Sequence, residues 1–309
     1  MIKIIDLFAG IGGIRLGFEM AFNDLKCVFS SEIDKHAIIT YKSNFLNSNI
    51  DGDITQIEES NIPDHDILLA GFPCQPFSQA GKKKGFLDDR GSLFFDINRI
   101  LKKKKPKVFL LENVKQLKNH DNGRTLNIIL EHLKATGYHN IQYEILKAKD
   151  FGIPQNRERI YIIGFLDSNI NFKFPKGFYI PTCVGDILED TVDSRYTISD
   201  KLWEGHKRRK IINKKNGKGF GYSLFNKNSA YTNTISARYY KDGSEILIEQ
   251  NNQNPRKITP REAARLQGFP ESFKIPVSDV QAYKQFGNSV CVPVIKAIAN
   301  NIKCSLKII

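Results

Sequence analysis

The first 170 residues alternate between short apolar runs and segments whose apolar residues have helical spacing. Five of the runs read IKIIDLF, KCVFSSEI, DILLAGF, KVFLLEN and RIYIIGFL. A run such as DILLAGF, in which polar and apolar residues do not alternate, is typical of a strand covered on both faces. Because strands and helices follow each other along the chain, the sequence predicts an α/β fold with a doubly wound, mostly parallel sheet.

The region from about 180 to 275 has a different character. Its segments are short, basic and rich in Gly, Asn and Tyr, as in SARYYKDGSEILIEQNNQNP. Helical spacing resumes in PREAARLQGF, and GNSVCVPVIKAIANNIK is predicted to be an apolar helix that packs on the first domain. We therefore predict a large domain at 1–180 plus 275–309, with a second, smaller β-rich domain at 181–274.

The net charge of +13 is concentrated in one part of the chain. From Arg195 to Arg265 there are 16 Lys and Arg residues against 6 Asp and Glu. Such a basic region indicates a polyanionic partner, most simply nucleic acid. A lysine-rich, solvated surface is the alternative explanation.

The cysteines and the apolar runs exclude several classes of protein. The five cysteines are far apart and form no C-x-x-C pair, which argues against a disulfide framework or a zinc site. No apolar run approaches the roughly 20 residues that span a bilayer, and the first residues do not have the pattern of a signal peptide. We expect a cytoplasmic protein without a metal and without a membrane partner.

The segment DLFAGIGG places Gly10, Gly12 and Gly13 between a predicted strand and a predicted helix. Glycines at such a junction permit a tight turn and the close approach of a ligand to the backbone. Arg15 stands where the dinucleotide fingerprint has its third glycine, and no Gly-Lys-Ser/Thr follows. The turn therefore favours a ligand without a pyrophosphate, although a purely structural turn is also consistent with it.

Two carboxylates follow the next predicted strand ends. Glu32 ends the second strand and suits the hydroxyls of a ribose, and Asp53 is predicted at the third strand–loop junction, where it suits an adenine amino group. Each is also explained as a helix N-cap. Together with the glycines they indicate a nucleoside cofactor without phosphates, which fits S-adenosylmethionine.

Cys74 lies in AGFPCQPFSQAG, just past the carboxyl end of the predicted strand DILLAG. Glu112 ends the predicted strand KVFLLEN. Because ligands bind along the carboxyl edge of a parallel sheet, a thiol and a carboxyl group are expected in one crevice. A buried, inert cysteine and a structural carboxylate are the alternatives, and the proline-bounded turn argues against the first.

Arg157 and Arg159 precede and begin the predicted strand in QNRERIYIIGF. Their spacing predicts that both side chains point to one side, where they would bind a phosphate or an anionic intermediate. The spacing by itself favours a simpler explanation, a surface ion-pair network with Glu158.

Seven segments resemble the motifs of one family. DLFAGIGG, SSEID, GDITQ, GFPCQPFS, ENV, QNRERIYIIGF and QAYKQFGNSV occur in the order seen in DNA (cytosine-5) methyltransferases. The resemblance covers nearly the whole chain, whose length is similar to that of prokaryotic restriction–modification methylases. It implies the Rossmann-like fold of S-adenosylmethionine-dependent methyltransferases, with a β-rich target-recognition domain.

The resemblance also implies an activity and its partners. The expected reaction transfers a methyl group from S-adenosyl-L-methionine to C5 of a cytosine in double-stranded DNA and leaves S-adenosyl-L-homocysteine. We further expect a monomer associated with the nucleoid, and a cognate restriction endonuclease that acts on the same site.

The family's roles map onto numbered residues. Cys74 resembles the nucleophile, Glu112 the residue that binds the target base, and Arg157 with Arg159 the arginines of the catalytic site. The cofactor residues implied by the resemblance are Phe8, Gly10, Ile11, Gly12, Gly13, Glu32, Ile33, Asp53, Ile54, Pro73, Asn288 and Val290.

The resemblance implies a covalent mechanism on an extruded base. Addition of the Cys74 thiolate to C6 would activate C5 of the cytosine, and the base must leave the helical stack to be reached. The segment SQAGKKKGFLDDRGS, with its glycines and lysines, is predicted to be a mobile loop that closes over that base.

Sequence specificity is expected in 181–258. TISARYYKDGSEILI resembles the recognition segment of methylases that act on CC…GG-type sites, and Arg238 and Lys241 suit guanine edges. The run 207–210 is expected to touch phosphates rather than bases. The other predicted DNA contacts are Gln75, Ser78, Lys82, Lys83, Arg90, Gln155 and Tyr239, although packing inside the small domain also explains Tyr239.

Three other functions fit the sequence less well. An RNA-methylating relative is less favoured because the motif set and the recognition segment are of the DNA type. A catalytically idle DNA-binding protein would be expected to have lost Cys74, Glu112 or the glycine turn. A thiol hydrolase is disfavoured because no histidine pairs evidently with Cys74.

Overall fold

The computed structural model describes residues 1–46, 48–72, 93–219 and 221–307. The predicted closing loop at 78–92 lies outside the described residues, and so does Cys74, the predicted nucleophile. The other predicted site residues outside them are Pro73, Gln75, Ser78, Lys82, Lys83 and Arg90.

A six-stranded sheet forms the centre of the larger part of the molecule. Its strands are β1 (Ile2–Leu7), β2 (Leu25–Ser31), β3 (Ile67–Gly71), β4 (Val108–Val114), β5 (Asn140–Lys147) and β6 (Glu158–Phe165), in the spatial order β2-β1-β3-β4-β6-β5. The first four are parallel neighbours, and β6 runs antiparallel to β4. The predicted α/β fold with a mostly parallel sheet is confirmed.

One strand of this sheet was not predicted. β5 reads NIQYEILK, and most of its residues are partly or fully exposed. It lies at the edge of the sheet, where one side of the strand has no neighbour. An edge strand needs no continuous apolar run, so the pattern that revealed the central strands is missing here.

Eight α-helices occur in the described ranges. They are α1 (Gly13–Glu19), α2 (Lys35–Asn44), α3 (Leu93–Lys104), α4 (Arg124–Ala135), α5 (Asp200–Lys215), α6 (Pro260–Arg265), α7 (Asp279–Asn288) and α8 (Val292–Ser305). Apolar residues of α3 and α4 share a core cluster with β1, β3 and β4. The last helix packs on the sheet-bearing part as predicted, because a Cβ atom at Gly17 of α1 would lie only 2.5 Å from Ile295 of α8.

The chain divides into two compact units. The sheet unit comprises Met1–Leu146, Glu158–Lys176 and Ile295–Ile309, and the small unit comprises Lys147–Arg157 and Gly177–Val294. These bounds differ from the predicted domains, since the small unit also includes the segment before β6 and all of α7. α7 belongs there because Tyr283 packs edge-to-face on Tyr239 and donates a hydrogen bond to the carbonyl of Ile258.

The small unit contains little regular β structure. Its three strands are β7 (Leu224–Phe225), β8 (Leu247–Ile248) and β9 (Arg256–Lys257), with β7 parallel and β9 antiparallel to β8. Within the described ranges, none of the helices is both long and apolar enough to cross a membrane.

Candidate active site

The glycine turn follows β1 and is tied to the end of β2 by Glu32. One carboxylate oxygen of Glu32 accepts a hydrogen bond from the N–H of Gly10 at 2.8 Å. The other accepts from the N–H groups of Ile33 and Asp34. Asp34, not Glu32, caps α2, so the cap explanation for Glu32 is wrong. Glu32 therefore fixes the turn and keeps its carboxylate at the carboxyl edge of the sheet.

The two sides of the turn differ in the space that they leave. Gly12 has φ +81°, and a Cβ atom there would lie 2.2 Å from the ring of Phe45. Gly10 has φ +54°, but a Cβ atom there would meet nothing within 4 Å. Phe8, just before the turn, adopts φ +55° although it is not glycine. The turn is thus packed at Gly12 and open at Gly10, which leaves room for a ligand against the backbone.

A polar cluster that was not predicted lies against this turn. Arg15 donates to the hydroxyl groups of Tyr41 at 3.0 Å and Ser48 at 2.6 Å, and it pairs with Glu19. Its guanidinium also lies 4.3 Å from the centroid of the Phe45 ring. The sequence showed Arg15 only as a missing glycine, because its partners on α2 and beyond are 26 to 33 residues away.

Burial favours the neutral forms of two neighbouring acids of this cluster. Burial raises the pKa of the Asp6 carboxyl well above its ordinary value, and the nearby Arg15 only partly opposes this. Burial likewise raises the pKa of the Cys27 thiol. A raised pKa disfavours the nucleophilic thiolate of Cys27, in contrast to the role predicted for Cys74.

The segment that carries Asp53 lies beside Glu32. Asp51 exchanges backbone hydrogen bonds with the end of β2, donating to the carbonyl of Ser30 and accepting from the N–H of Glu32. The predicted strand end at Asp53 is wrong, since Asp53 caps a short 3-10 helix by accepting from the N–H of Thr55. The Ile54 side chain is buried in the core, so only its main chain is available to a ligand.

The exposed apolar residues at this edge include Ile33. Its side chain is 70% exposed, directly after Glu32. Gly13 and Ile11, by contrast, are buried within the turn and the start of α1. Of the predicted cofactor residues, the structure therefore brings Phe8, the glycine turn, Glu32, Ile33 and the 53–54 segment to one edge of the sheet unit.

Glu112 lies at the same edge, on β4. Its neighbour on β3 is Gly71, and a Cβ atom at Gly71 would lie 3.6 Å from Oε2 of Glu112. The other oxygen, Oε1, lies 3.1 Å from Nε of Arg159, and both side chains are mostly buried. Glu112 therefore lies beside the end of the strand DILLAG, and Arg159 holds the carboxylate in place. The crevice shared with Cys74 stays a prediction.

Asn113 was missed as a residue that positions this edge. Its side-chain amide donates to the carbonyl of Phe72 at 3.0 Å, and Asn113 is almost completely buried. Phe72 is the last described residue before Pro73. The signal in the sequence was a polar residue that ends an otherwise apolar run, which is typical of a side chain with a buried backbone partner.

Arg157 does not share the environment of Arg159. Its guanidinium donates to the carbonyls of Ile235, Gly287 and Ser289 in the small unit, and only 2% of the residue is exposed. Arg157 fixes backbone, because its two terminal nitrogens donate to three carbonyl oxygens. That both arginines serve one anion stays a prediction.

Gln155 is also a backbone clamp rather than a DNA contact. It is fully buried, donates to the carbonyl of Leu266 and accepts from the N–H of Ile235. Gln155 and Arg157 thus hold both polar groups of the Ile235 main chain. The predicted DNA contact at Gln155 is wrong, since no surface of the side chain is available.

Tyr239 is buried as well, which overturns its predicted contact with DNA. Its hydroxyl donates to the carbonyl of Ile246 at 2.7 Å and accepts from the N–H of Ile258 at 2.8 Å. Arg238 and Lys241, on either side of Tyr239 and Tyr240, are exposed. Asn288 is exposed at the end of α7 and Val290 is buried, both within the small unit.

No group of three or more His, Cys, Asp or Glu side chains suited to a metal ion occurs in the described part of the chain. The groups present at the sheet edge are carboxylates, backbone N–H groups and apolar surface.

An α/β sheet with a glycine turn after β1, an acidic residue after β2 and an ion pair between Glu112 on β4 and Arg159 on β6 fits the Rossmann-like class of methyltransferases. The sequence model described as "C-5 cytosine-specific DNA methylase" matches residues 2–304. The chain belongs to this family, and its activity is that of a DNA (cytosine-5-)-methyltransferase.

Relatives and solved structures agree with this assignment. The chain is 70% identical over 306 residues to "Type II methyltransferase M.NlaX" of Neisseria lactamica, covering 99% of this chain and 97% of that protein. It is 66% identical to "Type II methyltransferase M1.ScrFI" of Lactococcus lactis subsp. cremoris, covering 97% and 77%. A DNMT2 structure from Spodoptera frugiperda aligns with TM-score 0.81 over 99% of this chain at 24% identity, which shows the fold. The predicted resemblance to restriction–modification methylases is confirmed.

Proposed function

We propose that the chain methylates C5 of one cytosine within a specific duplex sequence and that Cys74 bonds covalently to C6 of that base. The observation that carries the proposal is the Glu112 carboxylate, held by Arg159 beside Gly71 at the end of β3. Two residues separate Gly71 from Cys74, and three steps along the chain span at most about 11 Å of extended backbone. This short connection supports a joint role of the thiol and the carboxylate.

The sheet edge fits S-adenosylmethionine. Glu32 can accept a hydrogen bond from a ribose hydroxyl through Oε2, which binds one N–H group and has a second acceptor site, whereas Oε1 already accepts from two N–H groups. The open space at Gly10 admits a ligand, and the exposed Ile33 and the ring of Phe8 offer apolar surface to an adenine. When bound, the cofactor supplies an activated methyl group. The cofactor roles of Pro73, Asn288 and Val290 stay predictions.

The chemistry explains why a thiol and a carboxylate are needed together. Cytosine C5 is a poor nucleophile because it is part of an aromatic ring. Addition of the Cys74 thiolate to C6 breaks the C5–C6 double bond and gives C5 the character of an enamine, which accepts the methyl group. Removal of the C5 proton by a base then expels the thiolate and restores the double bond.

Glu112 acts on the opposite side of the base in this proposal. Its carboxyl group hydrogen-bonds N3 and the exocyclic amine, which stabilises the N3-protonated ring as the thiolate adds. Arg159 is a positioning residue that fixes the orientation of this carboxyl. Because neither atom is reachable inside a base stack, the cytosine must be extruded, at a cost of a few kcal/mol.

The biological setting follows from the relatives, which are named Type II methyltransferases. We propose that this chain protects host DNA at a CC…GG-type site against a cognate restriction endonuclease, acting as a monomer on the nucleoid in the cytoplasm. The segment TISARYYKDGSEILI, with Arg238 and Lys241 exposed, supports the choice of recognition region. The role of this segment in target recognition, and the closure of 78–92 over the base, stay predictions.

Bisulfite sequencing of plasmid DNA from cells that express the chain tests the activity and reveals the site. We expect one cytosine of each recognition sequence to be protected by the parent protein and none by Cys74→Ser. Total RNA from the same cells is the control for the RNA-methylating alternative. An unmodified plasmid would refute the proposal.

A second assay tests the covalent step. A duplex with 5-fluorocytosine at the site found by sequencing should trap a protein–DNA adduct, because fluorine replaces the C5 proton that must leave. The adduct should survive denaturing electrophoresis with the parent protein and be missing with Cys74→Ser. Methylation without any trapped adduct would remove the covalent mechanism while leaving the activity intact.

A further inference from the structure

We infer that one face of α5, formed by Lys201, Arg208 and Lys215, binds the phosphate backbone of duplex DNA. The inference rests on the proposed function, since it takes duplex DNA as the substrate, and adds a surface that is separate from base recognition. It also replaces the run 207–210 as the expected site of phosphate contact.

The local composition around α5 is one-sided. Residues 205–241 contain ten Lys and Arg residues and no Asp or Glu. A segment of 37 residues without acidic side chains cannot neutralise its own charge. The field over this part of the small unit is therefore positive and complementary to a polyanion.

Some cations of the run are already paired. Lys207 forms an ion pair with Glu204, one turn earlier on the same helix. Arg209 pairs with Asp242 at 2.9 Å. These two side chains are held by carboxylates of the small unit and would have to leave them to reach a phosphate.

Lys210 and Arg208, the other two residues of the run, differ in their contacts. The Lys210 ammonium lies 4.2 Å from the centroid of the Tyr222 ring, so it packs against the unit. Arg208 is exposed and makes no ion pair with any residue in the described ranges. A contiguous run winds around a helix, and among the described residues Arg208 is the member of the run that has neither a carboxylate nor an aromatic partner.

Arg208 is the centre of a regular row. Lys201, Arg208 and Lys215 are seven residues apart, and a spacing of seven rotates by only about 20° around an α-helix. All three are exposed, and no described carboxylate pairs with them. With a rise of about 1.5 Å per residue, the row spans roughly 21 Å, the length of about six base pairs. It is long enough to meet several phosphates.

The opposite side of α5 is fixed to the small unit. His206 is buried and contacts the carbonyl of Asp242 at 3.3 Å, and Trp203 packs edge-to-face on Tyr222 at 4.6 Å. Burial lowers the pKa of His206, so it adds no charge at neutral pH. The row is therefore presented on an anchored helix, and forming the contact orders only side chains.

The test compares two triple variants of the full chain. The first is Lys201→Gln, Arg208→Gln and Lys215→Gln. The control is Lys26→Gln, Lys102→Gln and Lys134→Gln, which removes the same charge from exposed lysines of the sheet unit. The dissociation constant for a duplex without a recognition site is measured between 50 and 200 mM salt, after Trp203 fluorescence has shown that each variant is folded.

Each phosphate contact contributes about 0.9 to the slope of log affinity against log salt concentration. Without three such contacts, the slope of the α5 variant should be shallower by about 2.7. Between 50 and 200 mM salt, the factor by which its affinity falls should therefore be about 40 times smaller than the factor for the parent. The control variant should keep the parent slope. An unchanged slope in the α5 variant, or an equal loss in the control, would overturn the inference.

Two further measurements separate the alternatives. If the parent methylates plasmid DNA while the α5 variant keeps the parent's salt slope, the inference fails and the proposed function stands. If the parent methylates nothing, the proposed function itself fails.

A lipid surface is the other polyanion to exclude. Cosedimentation of the parent but not the α5 variant with phosphatidylserine vesicles, with the DNA slope unchanged, would also overturn the inference.

Discussion

The two units satisfy their buried polar groups in different ways. In the sheet unit, strand ladders pair the backbone, and the interior of β1, β3 and β4 is apolar. In the small unit the strands have two residues each, and buried side chains bind the main chain instead. These side chains are Gln155, Arg157, Thr232, Tyr239, Gln267 and Tyr283.

This difference predicts different effects of mutation. The stability of the sheet unit is spread over many apolar contacts, so a polar change at its carboxyl edge should alter chemistry more than folding. The small unit adds to its apolar core several buried hydrogen bonds that cannot be lost without leaving a buried partner unpaired. Changes there should alter folding, even at positions that the sequence assigns to DNA.

The largest effect is expected at Glu112 in the sheet unit. Glu112→Gln keeps the shape of the side chain but removes the negative charge that binds a protonated ring. We expect the rate of single-turnover methyl transfer to fall by about 10²- to 10⁴-fold. Glu144→Gln, an exposed position on β5, is the matched control and should keep the parent rate. A Glu112→Gln rate within tenfold of the parent would refute the role of the carboxylate.

The largest loss of stability is expected at Arg256 in the small unit. Arg256 makes two hydrogen bonds, of 2.7 and 2.8 Å, to the fully buried carboxylate of Glu262. Arg256→Met leaves that charge unpaired, at a cost of about 3–5 kcal/mol. Arg265→Met, which breaks a pair with the largely exposed Glu271, should cost about 1 kcal/mol or less.

Urea unfolding followed by fluorescence measures this difference. Trp203 is the single tryptophan of the chain and lies in the small unit, so its emission reports on that unit. Equal losses for Arg256→Met and Arg265→Met would contradict the claim that buried polar bonds hold the small unit together.

The glycine turn offers a third comparison within one motif. Gly12→Ala combines a left-handed φ with a collision against Phe45, and we expect it to cost about 2–4 kcal/mol of unfolding free energy. Gly10→Ala meets open space and should cost about 1–2 kcal/mol. Gly10→Ala should instead weaken the binding of S-adenosylhomocysteine, measured by calorimetry, because the methyl group of the alanine fills the open space. Identical losses of stability would show that the turn is not packed on one side.

The sequence predicts well what is periodic and local. The central strands were visible as apolar runs, and Glu32, Glu112 and the glycine turn follow directly from strand ends. The rule that parallel strands end at one edge then brought them together without any contact being known. The same reasoning failed at Asp53, where a 3-10 helix stands in place of a third strand end.

What the sequence did not predict depends on distant partners. Gln155 and Arg157 bind main-chain groups 78 to 132 residues away, and such pairs leave no period in the sequence. The same is true of Asn113, whose partner is the carbonyl of Phe72. A polar side chain at these places reads equally as a ligand contact and as a backbone clamp. Only the fold decides between the two.

A change at Tyr239 has the smallest expected effect on stability. It is also the sharpest test of whether a polar side chain contacts a ligand or binds the main chain. Tyr239→Phe removes a hydroxyl that serves Ile246 and Ile258, leaving a buried carbonyl and a buried N–H without it. We expect a loss of about 1–2 kcal/mol in the Trp203 unfolding assay, with unchanged discrimination between cognate and altered sites. Tyr240→Phe, at the half-buried neighbour, should change neither. If Tyr239→Phe instead relaxed sequence discrimination at full stability, Tyr239 would be a base contact and the contrast between the units would fail at its centre.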